Sequence, residues 1–214
     1  MDELVLYELD GYSLWAHPDS RVASKLKRGV PYEAKLLNHT VGRYSGTVVD
    51  VGASIGNHTL FWWAQGLEVL AFEPNRDTWR HLLRNVEANE ARGNVHAFHA
   101  ALSDRAGVGV LSDDMRLTFV EERAVADAEV WRWDDYSFEL FNRRTIAMVK
   151  IDVEGHEPNV LRGMVNMLDR DHPDLYVESH TDLARREVAD VVEPLGYRLA
   201  GEFRMGSRMD WWAV

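Results

Sequence analysis

The stretch T-V-V-D-V-G-A-S-I-G-N-H-T-L-F-W-W-A-Q, Thr47 to Gln65, decides how the chain is read. Val48, Val49 and Val51 form a short apolar run that carries one acid, Asp50. Gly52 and Gly56 follow, and then a run able to form a helix. The pattern predicts strand, glycine-rich turn, helix. A tight turn needs backbone angles that glycine supplies, and glycine lets a ligand approach bare backbone. The helix opening there offers unpaired N–H groups to the polar or anionic end of a ligand. Such a turn most often holds a nucleotide-like cofactor, although taken alone it is a weak signal.

Working outward, residues 68–72 form a second strand that ends in Glu73-Pro74-Asn75. Trp79, Leu82, Leu83 and Val86 then follow the spacing of a helix with one buried face. Residues 95–100 and 107–111 read as short strands, and residues 112–145 as a mixed loop with one strand over 128–133. Residues 146–153 are the strongest strand after the first. It turns through Glu154-Gly155-His156-Glu157-Pro158 into a helix whose apolar face is Val160, Leu161, Met164, Val165 and Leu168. A strand over 175–178 precedes a helix capped by Asp182 that runs to Leu195 and stops at Gly196. Residues 197–203 and 209–214 read as a closing antiparallel pair turning at Gly206-Ser207. On the N-terminal side, residues 4–16 predict a hairpin around Asp10-Gly11. Ser20 would cap a helix ending at Gly29, and Pro31 would open another. Alternating strands and helices imply a parallel sheet covered on both faces, with ligands beyond the strands' carboxyl ends. The turns bearing Asp50, Glu73 and Asp152 all lie at such ends, and they are expected to meet in space.

The 214 residues suit one domain, with 1–45 as an N-terminal flank or lid and 46–214 as the core. Hydrophobic residues make up 46%, which favours a packed core over disorder. The net charge, 24 − 35 = −11, argues against non-specific nucleic-acid binding. The chain has no cysteine, which removes disulfides, thiolate metal sites and a Cys nucleophile. The N-terminal residues lack the basic start and apolar core of a signal peptide, and no apolar run approaches the roughly 20 residues of a membrane span. A cytoplasmic location is therefore expected.

Glu73 ends the second strand about 20 residues beyond the glycine turn, where an acid can take both ribose hydroxyls. Dinucleotide and S-adenosylmethionine sites share this placement. The turn G-A-S-I-G lacks the G-x-G-x-x-G spacing of a dinucleotide fold, and Asp50 suits the cationic amino and sulfonium groups of S-adenosylmethionine. No P-loop motif is present.

V-V-D-V-G-A-S-I-G-N-H-T-L-F, A-F-E-P-N, A-L-S-D-R-A-G and V-K-I-D-V-E-G-H-E occur in this order. Together they make the chain resemble the FkbM-type S-adenosylmethionine-dependent methyltransferases across about residues 45–180. K-I-D-V-E-G-H-E is the most specific piece, and the Tyr32-Glu33 pair also looks like the family. Ser54 stands where the family often has asparagine. The resemblance implies a class I methyltransferase (Rossmann-like) α/β fold of seven mostly parallel strands with a reversed last strand and helices on both faces. It implies methyl transfer, usually to a hydroxyl of a sugar, macrolide or other small molecule. Residues 112–145 and the extreme N-terminus match poorly, and substrate is expected to be read there.

On this reading Gly52, Ala53 and Gly56 line the methionine end of S-adenosylmethionine, with Asp50 and Asn57 beside them and Glu33 nearby. Glu73 takes the ribose hydroxyls, and Ala101 and Leu102 pass the adenine. Lys150 and Asp152 project from one face of their strand, and a buried parallel strand needs a reason to carry them. Asp152 would orient the cofactor's amino group or the acceptor. Methyl transfer to a hydroxyl requires loss of a proton; His156 is the preferred base and Glu154 the second. Glu178 and His180 could face the acceptor, and Trp131 and Trp133 could stack on it. No metal is expected, because Asp152, Glu154 and His156 on one short turn would make a strained ligand set. The rival readings are a cofactor-binding module without catalysis, an N-methyltransferase and, third, a dinucleotide oxidoreductase.

Overall fold

The computed structural model describes residues 3–121, 126–140, 144–204 and 208–214. It opens with the hairpin β1 (Val5–Leu9) and β2 (Tyr12–Ala16), antiparallel around Asp10-Gly11. Two short helices follow, α1 (Ala23–Leu26) and α2 (Ala34–Thr40). The Ser20 hydroxyl accepts from the Ala23 N–H at 3.1 Å, so the expected cap is present. Pro31 does not open α2; Glu33 precedes that helix in the left-handed region, φ 59°, and delays its start to Ala34.

The central unit then alternates as β3 (Thr47–Val51), α3 (Asn57–Ala64), β4 (Glu68–Phe72), α4 (Arg76–Ala88) and β5 (Val95–Phe98). Next come β6 (Ala100–Leu102), β7 (Gly107–Leu111), β8 (Leu117–Val120), β9 (Ala128–Trp131) and α5 (Trp133–Leu140). The chain closes with β10 (Ile146–Ile151), α6 (Glu157–Arg162), α7 (Val165–Asp171), β11 (Asp174–Glu178), α8 (Asp182–Val192), β12 (Arg198–Arg204) and β13 (Arg208–Ala213). Seven strands make the main sheet in the order β12-β13-β11-β10-β3-β4-β5. All pairs among β3, β4, β5, β10 and β11 are parallel, whereas β13 runs antiparallel to both neighbours, which is the reversed last strand expected.

Side-chain alternation along β3 splits the core. Val48 joins the cluster under α2, α3 and α4, while Val49 and Val51 join the cluster under α6, α7 and α8. The N-terminal hairpin contributes Tyr12, Leu14 and Ala16 to the first cluster. Its outer backbone groups are met by two asparagines one turn apart on α4. Asn89 exchanges bonds with Ser13 N–H and C=O, both at 2.7 Å. Asn85 accepts from Trp15 N–H at 2.8 Å and donates to the carbonyls of Trp15, at 3.1 Å, and Ile55, at 2.8 Å. Asn85 is fully buried. Asn85→Ala is expected to cost about 1–3 kcal/mol, because it strands buried backbone groups. A loss under about 0.5 kcal/mol in urea unfolding would show that α4 does not hold the hairpin in this way.

Several elements differ from the sequence reading. The strand over 95–100 breaks at His99, and β6 belongs to a separate four-stranded sheet ordered β6-β9-β7-β8. Over 112–145 the expected strand is present as β9, and the structure adds β8 and α5 to what was read as loop. The strand at 146 stops at Ile151. The single helix after Pro158 is two helices, parted at Gly163, where a Cβ would overlap the Ser103 carbonyl oxygen. The cap of α8 is Thr181, whose hydroxyl accepts from Ala184 N–H at 3.1 Å, and Glu193–Leu195 is a 3-10 turn. The turn proposed at Gly206-Ser207 lies outside the described residues. No helix among the described residues is long and apolar enough to cross a membrane.

Candidate active site

One cavity of about 320 Å³ opens at the carboxyl ends of β3, β4 and β10. The first wall is the glycine turn. Gly52 sits at φ +78°, and a Cβ there would overlap the carbonyl oxygen of Asp152, so the turns after β3 and β10 touch only because this residue is glycine. Gly56, at φ +94°, lies behind the wall; a Cβ there would come 2.7 Å from Leu82. Between them Ser54 holds φ 51°, a region that asparagine enters more readily than serine, which accounts physically for the family's asparagine.

Glu73 forms the second wall. Its carboxylate accepts from Ser54 N–H at 2.9 Å and from Asn75 N–H at 2.8 Å. It is fixed in place while still lining the cavity. Burial pushes its carboxyl up to about 7, against the lowering by those two N–H groups and by Lys150.

Lys150 and Asp50 are register partners on β10 and β3, and both are fully buried. The Lys150 ammonium donates to the Gly52 carbonyl at 2.8 Å and lies 3.2 Å from Asp50 and 3.5 Å from Asp152. Burial alone would lower its pKa, but Asp50, Asp152 and Glu33 outweigh that and raise it. The other Asp50 oxygen accepts from the Thr59 hydroxyl at 2.6 Å. Asp50 therefore stands behind the cavity, and the expectation that it touches the cofactor directly is corrected. The face it shares with Lys150 is filled by that ion pair. Asp152 does line the cavity. Burial would raise its carboxyl, and Lys150 foremost holds it below the usual carboxylate range.

The N-terminal segment closes a further side. Asn57 donates to the Tyr32 carbonyl at 3.0 Å and accepts from Tyr32 N–H at 3.1 Å. Its amide thus holds Tyr32 at the rim while lining the cavity itself. Glu33 stands one layer behind the lining, 3.1 Å from the Nε2 of His58, which does line the cavity.

His156 also borders the cavity, but both its ring nitrogens are engaged. Arg162 donates to the Asn159 carbonyl oxygen at 2.6 Å, which turns the Asn159 amide N–H toward His156 Nδ1 at 3.2 Å. Nδ1 is then an acceptor, and Nε2–H donates to the Ser103 hydroxyl at 2.8 Å; that hydroxyl donates to Asp104 at 3.1 Å. Burial lowers the His156 pKa, which keeps the ring neutral. In this arrangement His156 also ties α6 to the end of β6. His156→Ala is expected to cost about 1–3 kcal/mol of stability and to leave the pH–rate profile unshifted. An acid limb that disappears in the variant would establish the catalytic role instead. Glu157, likewise, accepts from Val153 N–H at 3.2 Å and Gly155 N–H at 3.0 Å, and so caps the turn.

Gly52, Ala53, Asn57, Glu73, Ala101, Asp152, Glu154 and His156 are thus brought together, while Glu33, Asp50 and Gly56 support the cavity from outside. Leu102 lines it as expected. Trp131 and Trp133 do not; they pack with Phe72 in the second core cluster. The sequence reading missed Leu111, Met115 and Leu117, which the β7–β8 hairpin lays over the cavity. An apolar floor of Phe72, Ala100, Ala101 and Leu102 beside a fixed carboxylate and a bare glycine backbone fits a nucleoside with a cationic tail.

The chain is similar to known methyltransferases. Methyltransferase 1 of Beauveria bassiana is 24% identical over 242 residues, covering 94% of this chain and 90% of that one. The hexuronic acid methyltransferase AglP of Haloferax volcanii is 31% identical over 122 residues, 56% of this chain and 50% of the relative. The crystal structure of methyltransferase FkbM from Methylobacillus flagellatus superposes with a TM-score of 0.56 at 21% identity, over 78% of this chain and 43% of that one. The chain thus spans half or less of the last two proteins. The methyltransferase FkbM domain matches residues 50–199, from Asp50 at the first glycine turn to Leu199 in β12, and the chain belongs to the FkbM methyltransferase family.

Proposed function

We propose that this protein is an S-adenosylmethionine-dependent O-methyltransferase acting on a sugar or another small hydroxyl compound. The observation that carries the reading is Glu73, a carboxylate held by two backbone N–H groups at the wall of a cavity that also contains Gly52 and Asp152. An acid so fixed suits a pair of ribose hydroxyls. The apolar floor would take the adenine, and the Gly52–Asp152 contact the methionine end. S-Adenosylmethionine supplies an electrophilic methyl group, whose transfer to oxygen leaves a neutral thioether. The chain's own part is to orient and to exclude water. Asp152 and Glu154 border the acceptor side and attract a donor group there, and Tyr32 walls it. The name of the Haloferax relative favours a uronic acid among the sugars.

Calorimetry with S-adenosylmethionine tests the cofactor. Labelled methyl transfer to uronic-acid, neutral-sugar and amine panels tests the reaction. The reading expects binding, with label on oxygen. Binding without transfer to any panel would favour a silent module, and label on nitrogen would replace the O-methyl assignment.

A further inference from the structure

The turn after β10 and the end of β11 bring together a donor set that neither segment has alone. Among the described residues, Glu154, Glu178 and His180 offer ligand atoms that all lie within 4.8 Å of one another. The Nε2 of His180 is 3.1 Å from Glu178 and 3.4 Å from Glu154. Glu178 is buried, with 6% of its side chain exposed, whereas Glu154 and His180 are 52% and 46% exposed. The site therefore has a rigid inner ligand and two outer ones open to solvent. Glu154 also lines the methyl-transfer cavity, so the two sites are continuous.

Glu178 also shares a hydrogen bond with Asp152, which lines the cavity, so the inner ligand borders the same space.

We propose that Glu154, Glu178 and His180 bind a divalent cation at the acceptor side of the cavity. Two carboxylates and one imidazole suit Mn²⁺ or Mg²⁺, with water completing the shell. A hydroxyl bound to such a cation releases its proton to water more readily than a free one. The role for the cation rests on the methyl-transfer reading; the binding does not. The ligands also come from two chain segments, which removes the strain expected of three ligands on a single turn.

The test uses Mn²⁺ alone, titrated by electron paramagnetic resonance into the full chain with and without S-adenosylhomocysteine. One saturable site is expected, with a ¹⁴N coupling from His180. His180→Ala should abolish the coupling and weaken binding by about tenfold or more. Glu154→Gln, also at an exposed position, should weaken it while the thermal melt stays unchanged. Mn²⁺ that remains free up to millimolar concentration overturns the proposal, as does bound Mn²⁺ without ¹⁴N coupling and indifferent to His180→Ala. Calorimetry of S-adenosylhomocysteine in the same samples separates the two ideas. Nucleoside binding without a metal site sinks only the cation, and a metal site without nucleoside binding sinks the cofactor reading.

Discussion

Lys150→Met is expected to destabilise the protein by about 3–5 kcal/mol, because it leaves buried carboxylates without their cation. Lys150 is the point where β3, β10 and the Gly52 turn are joined, through one hydrogen bond to the Gly52 carbonyl and two ion pairs. Most of the loss is the cost of stranding Asp50, which is fully buried and, among the described residues, hydrogen-bonded elsewhere only to Thr59. Adding Asp50→Asn should therefore recover part of the stability, with a coupling above about 1 kcal/mol in the double-mutant cycle. Urea unfolding at neutral pH reads both quantities. Two single variants whose losses simply add would mean that the pair is not an energetic unit.

Glu73→Gln is expected to weaken S-adenosylmethionine binding by about 1.5–3 kcal/mol, the scale of hydrogen bonds to a charged group. The amide keeps the size of the side chain but loses the charge. It also cannot accept with both ends, so Ser54 N–H or Asn75 N–H loses its partner. The wild type carries a pH signature. Burial sets the Glu73 carboxyl near 7, so the carboxylate that hydroxyl donors need is present above that pH and disappears below it. Affinity should rise from pH 6 to pH 8 in the wild type and stay flatter in Glu73→Gln. An affinity that falls over that range, or an identical slope in the variant, would remove Glu73 from the ribose.

The inner strands β3, β4, β10 and β11 were legible because each carries or ends at an acid, Asp50, Glu73, Asp152 and Glu178, and is followed by a helix. β4 was placed to the residue. In the second sheet β7 was placed to the residue and β9 began where expected, whereas β8 and α5 were not legible. β8 is four residues long with no buried position, so neither alternation nor a continuous apolar run marks it. One local signal was available there: Asp134 and Asp135 in the first turn of α5, acids placed where a helix start favours them. Within the site, position along the chain was easier to read than direction. Asp50 falls at the expected strand end, yet its partner across the sheet, Lys150, takes the carboxylate away from the cavity. His156 has the residue type of a base, but its tautomer is set by Arg162 six residues on and by Ser103 from another sheet. Sequence spacing carries no trace of such partners, nor of the meeting of Glu154 with His180.

A crystal structure of the protein with S-adenosylhomocysteine tests the central claim most directly. The account predicts both ribose hydroxyls within hydrogen-bond distance of Glu73, with the sulfur beside Gly52 and Asp152. A nucleoside seated elsewhere, or a ribose held by other side chains while Glu73 keeps only its backbone partners, would contradict it.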